Sequence, residues 1–103
     1  MKMIKQLSHE IKHNIHEARE KIEIAYKLRD TDKTAADWYR QMAAAHIEFN
    51  STGHSAVAKL ITEARAKMEH NPMLPGMLAV YDDMHAEVMK DSAEVSAMIQ
   101  NYK

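Results

Sequence analysis

Cysteine is absent from this 103-residue chain, which excludes disulfides and thiolate ligands and leaves only nitrogen and oxygen donors for a bound ion. Glycine and proline number two each, too few for a fold built on turns and short strands. There is no glycine-rich phosphate loop, no Gly-x-Ser-x-Gly and no His-Glu-x-x-His, so kinase, hydrolase and thiol mechanisms lack their parts. Nothing in the motifs points to an enzyme. Charge of one sign is also missing, since 14 basic side chains face 15 acidic ones. With no Lys/Arg stripe, nucleic acid is excluded as the main partner. No run approaches the roughly 20 apolar residues of a membrane-spanning helix, and Met1 to Lys12 lacks the apolar core of a signal peptide. The expected location is the cytosol.

What the chain has is helix-forming residues, with Ala, Glu, Lys and Met abundant. Its length suits one domain with one modest core, so residues 1–103 read as a single unit. From Met3 to Arg29, the residues Ile4, Leu7, Ile11, Ile15, Ala18, Ile22 and Ala25 keep a three/four spacing, which predicts an amphipathic helix of about 40 Å. Arg29-Asp30-Thr31-Asp32 is a short polar link in which Asp32 or Thr31 can cap the next helix. So short a link makes the first two helices antiparallel neighbours.

The second helix reads from Thr34 to Met68, about 50 Å long. Ala35, Tyr39, Met42, His46, Phe49, Gly53, Val57, Leu60, Ala64 and Met68 fall on one face, with His46 near its centre. Asn50-Ser51-Thr52-Gly53 interrupts the strong helix formers. Gly53 either lets another backbone come close or marks a kink. The two prolines and glycine of Asn71-Pro72-Met73-Leu74-Pro75-Gly76 end this helix and set up the third. There Leu78, Tyr81, His85, Val88, Ser92, Val95, Ile99 and Tyr102 repeat at near-heptad spacing, widened by Met77, Met84 and Met98. The fold class expected is all-α: an antiparallel three-helix up-down-up bundle with a long central helix. Ile24 and Leu28 add a second apolar line to helix one. Surplus of this kind predicts completion by a homodimer or higher homo-oligomer. The nine methionines suit core or subunit contacts, and Trp38 with Tyr39 reads as a core or interface anchor.

Seven histidines divide by angular position. His9, His13 and His16 lie about 130° to 160° from the centre of helix one's stripe, and His70 lies in a polar helix end, so all four read as solvated. His46 is central on its stripe, His85 is about 40° to 50° from the centre of its own, and His54 is at a boundary about 80° from His46. Those three need a partner. The plain reading is a hydrogen bond to a tyrosine, an asparagine or the backbone. The chemical reading is a metal site, since a bundle interior supplies donors when His and carboxylate project inward from facing helices. Asp82 and His85 stand one helical turn apart and can reach one ion. Glu17 points away from helix one's main stripe and serves only if the secondary face is buried.

The segments Ile15-His16-Glu17-Ala18, Trp38-Tyr39 with His46 and His54-Ser55-Ala56-Val57-Ala58-Lys59-Leu60-Ile61, and Met77-Leu78-Ala79-Val80-Tyr81-Asp82-Asp83-Met84-His85 resemble the ferritin-like helical superfamily. In particular they are similar to the small ferritin-like proteins of anaerobic bacteria and their prophages. The resemblance implies an antiparallel bundle with an interior carboxylate and histidine site for iron or manganese, zinc being a further candidate. Carried over, Glu17 is the helix-one carboxylate, His46 the helix-two ligand and His85 the helix-three ligand. The superfamily's Glu-x-x-His is not intact, because Ala43 stands three before His46. One ion, or none, is therefore expected rather than two.

Two functions from different classes follow. One is a metal-binding bundle using His46, His85, a carboxylate among Asp82 and Glu17, and His54 in reserve. The other is a non-catalytic helical interaction module, of phage origin on the same resemblance, whose Met-rich faces bind itself or another protein.

Overall fold

The structure, a computed structural model, describes the backbone of residues 2–67 and 74–103 and the side chains of all of these except 2, 74–78, 80 and 81. Among the described residues three helices form and no strand: α1 (Lys2–Leu28), α2 (Lys33–Ala66) and α3 (Leu74–Gln100). The expected all-α three-helix bundle is present. Residue pairing fixes its directions. Asn14 meets His46 and Asn50 while Asn50 reaches Ile11, so numbers rise on α1 as they fall on α2. Arg19 meets Glu94 and Tyr26 meets Met98, so α1 and α3 run the same way.

The ends of the elements follow from local chemistry. Asp32 caps α2, its Oδ1 accepting from the Ala35 N–H at 3.0 Å. The turn before it closes through Thr31 and Asp32 N–H groups donating to the Leu28 carbonyl. α3 begins at Leu74, so Pro75 and Gly76, expected in the link, lie in its first turn, where a missing N–H leaves no intrahelical bond unmade. The Asn71-Pro72 break, Met68 and His70 lie outside the described residues, as do the side chains of Met77, Leu78 and Tyr81.

α1 buries the stripe its spacing predicts: Ile4, Ile11, Ile15, Ala18, Ile22 and Ala25 form the core, with Ser8 buried beside them and Leu7 half-buried. α2 runs unbroken through Gly53. A Cβ built there would stand 3.0 Å from Ile11 Cγ1, so this glycine admits a close neighbour. The buried face of α2 is not the expected one. Ala36, Ala43, Asn50, Val57 and Ile61 are buried, whereas Phe49 is 74% exposed and His46 only half-buried. The true centre is rotated by about 50° from the predicted one, because small residues at seven-residue spacing meet α1 more closely than Met42 and Phe49 can. On α3, Val88 and Val95 are buried and His85, Ser92, Met98, Ile99 and Tyr102 half-buried.

Candidate functional site

Two polar arrangements occupy α2, one on each side of its buried line. The first joins α2 to α1. The Asn14 amide nitrogen donates to the His46 carbonyl at 2.9 Å and to Asn50 Oδ1 at 2.9 Å. Asn50, 2% exposed, passes the chain on by donating to the Ile11 carbonyl at 3.4 Å. Asn14 Oδ1 bonds the His46 ring at Nδ1, and since an amide oxygen only accepts, Nδ1 carries the proton and Nε2 is left as the ring's acceptor. His46 thereby fits the plain reading of a satisfied imidazole.

The second arrangement joins α2 to α3. The rings of His54 and His85 meet edge to face, centroids 5.2 Å apart and planes at 76°. Neither His54 nitrogen reaches solvent, and neither has a hydrogen-bond partner among the described residues. Burial, and then the neighbouring His85, lowers the His54 pKa from its ordinary value of 6.5. The histidine that joins His85 is thus His54 rather than His46. Eight residues separate the two on α2, about 12 Å along its axis. Rotation of the buried face explains the exchange, placing His54 about 30° and His46 about 50° from its centre, on opposite sides.

The carboxylates go elsewhere. Asp82 forms an ion pair with Arg65 on the surface. Glu17 sits beside Lys21 at 3.7 Å and His13 at 3.9 Å, one turn away on its own helix. Among the described residues no group of three or more His, Asp or Glu converges on a point that could hold an ion. The set of about four carboxylates and two histidines that ferritin-like redox chemistry uses is not assembled by them. Asn14 and Asn50 are the site residues the sequence reading passed over. A signal existed for Asn50: it shares the seven-residue register of Ala36, Ala43 and Val57.

A third feature is apolar. On the side of the α1–α2 pair away from α3, a groove of about 330 Å³ has Leu7, Ile11 and Asn14 on one wall and Phe49, Gly53 and Ala56 on the other. Phe49 also borders a shallower hollow with Met42, Ala45 and His46. Trp38, 61% exposed, continues the line toward the start of α2. No helix among the described residues is long and apolar enough to cross a membrane. No protein-family model, curated protein or solved structure matches the chain.

Proposed function

We propose that this chain is a non-catalytic helical interaction module that pairs with a second copy of itself through the open α1–α2 face. The observation that carries the reading is Phe49, 74% exposed on a groove that Ile11 and Gly53 also line. Large aromatic side chains left in water on a continuous apolar line mark contact surfaces.

Three further points select a second copy as the occupant. The accessible surface is 6974 Å² for 11.8 kDa, roughly 1,000 Å² more than a compact monomer of that mass exposes. A standard interface removes about 800 Å² from each partner. The formal net charge is −1, so two copies approach with little repulsion. Phe49 also lies at the midpoint of Lys33–Ala66, where a two-fold axis lets the same patch face itself along the whole helix.

Ferritin-like redox chemistry is not part of this reading, because Glu17 and Asp82 are each paired with a basic side chain. Sedimentation equilibrium on untagged protein tests it. A mass of twice 11.8 kDa is expected, falling to the monomer in Phe49→Glu with helical content unchanged. A monomeric wild type at high micromolar concentration, or a Phe49→Glu variant that stays dimeric, overturns it.

A further inference from the structure

We propose that His54 and His85 form a two-imidazole site for one late first-row divalent ion, of the zinc, nickel and copper class, held across the α2–α3 seam. Two rings sharing one ion through bonds of about 2.1 Å keep their centres roughly 5 Å apart, and these stand at 5.2 Å. The site requires each ring to turn about its side-chain bonds so that one nitrogen of each points at a common ion.

His54 makes the site more than a contact between rings. Both its nitrogens are shut off from solvent and unpartnered among the described residues, an arrangement that costs free energy unless something is bound there. Coordination needs a neutral ring. The donor chemistry selects the ion. Imidazole nitrogen without carboxylate or thiolate suits zinc, nickel and copper over magnesium, calcium or manganese, and two protein ligands leave the remaining positions to water or an exchangeable ligand. This set differs from the Glu17, His46 and His85 set implied by the superfamily resemblance. It also lies away from the α1–α2 face, so it stands independently of self-association.

The test must discount the exposed histidines of α1, since His9 and His13 at i, i+4 can chelate on their own. Untagged protein carrying His9→Gln, His13→Gln and His16→Gln is the background, and zinc chloride is the probe. One equivalent of zinc should raise the melting temperature of this background by several degrees, reversibly with EDTA, and should move the side-chain nitrogen resonances of His54 and His85. His54→Gln and His85→Gln, added separately and checked for helicity, should each abolish both responses. Phe49→Glu should keep them, which separates this site from the dimer. A zinc response that survives either substitution, one that disappears with the α1 histidines, or no response at all overturns the assignment.

Discussion

At the scale of single residues, α2 carries two histidines with opposite environments. His46 has its Nδ1 proton engaged by Asn14, within a chain of amides that ends on the Ile11 carbonyl. Such a network, partly buried, aligns α1 with α2 more sharply than apolar contact does. His54 has no such partner, and its behaviour with pH follows. Its folded pKa lies below the ordinary 6.5 of the unfolded chain, so the folded state binds fewer protons than the unfolded one. The contribution to stability is therefore complete above about pH 6.5 and is lost as the pH falls through the depressed His54 value. The neighbouring imidazole that adds to the effect across the seam is His85. Urea unfolding in EDTA at pH 7.5 and pH 5.0 is the measurement. Wild type should lose more stability between the two than His54→Gln, and equal losses would remove the burial explanation.

At the scale of elements, Gly53 sets how closely α1 and α2 approach. Alanine in mid-helix is worth about 1 kcal/mol over glycine, which by itself makes Gly53→Ala stabilising. Here the added methyl would meet Ile11 Cγ1 at 3.0 Å and Cδ1 at 3.3 Å. Ile11 is buried and β-branched, so its side chain has few other rotamers, and its carbonyl is tied to Asn50. Overpacking of this kind costs about 1–3 kcal/mol and outweighs the gain. Gly53→Ala should lower the urea midpoint, for a net loss of about 1 kcal/mol, and a raised midpoint would show that the helices yield at this point.

The same elements show what was legible beforehand. The α1 stripe was readable because its large apolar residues all face the core and little apolar competes on its other sides. The α2 face was not. Its contact line runs through Ala36, Ala43 and Asn50, which carry little or no hydrophobic signal, while Phe49 and Met42 carry a strong one and stand outside the core. Reading hydrophobicity as burial therefore turned the helix by about 50°, centred His46 and moved His54 to the edge. The Asn50 to Gly53 stretch looked like an interruption because the partners of its side chains lie on another helix.

At the scale of the whole molecule, the chain is a rod of 59 × 17 × 17 Å with a radius of gyration of 16.8 Å, against about 13 Å for a compact domain of this length. α3 is fixed toward the C-terminal ends of α1 and α3, where the Tyr26 hydroxyl donates to the Met98 carbonyl at 2.8 Å, Tyr26 stacks edge-on against Tyr102 at 5.2 Å, and Arg19 pairs with Glu94. Among the described residues, no side chain of α3 lines the groove on the opposite side of the α1–α2 pair. If two rods meet there about a two-fold axis at Phe49, residue numbers facing one another across α2 sum to 98. Trp38 then faces Leu60, Met42 faces Ala56 and Ala45 faces Gly53, so that away from the axis, where Phe49 meets its own copy, large residues meet small ones or aliphatics. A chain without cysteine makes this register measurable. Met42→Cys and Ala56→Cys, prepared as separate single variants and then mixed under mild oxidation, should give a mixed disulfide dimer. Each variant alone should not, because like positions are about 21 Å apart along the axis at 1.5 Å per residue. Cross-linking within each single variant would instead mean parallel rods, and with them the loss of the two-fold axis at Phe49.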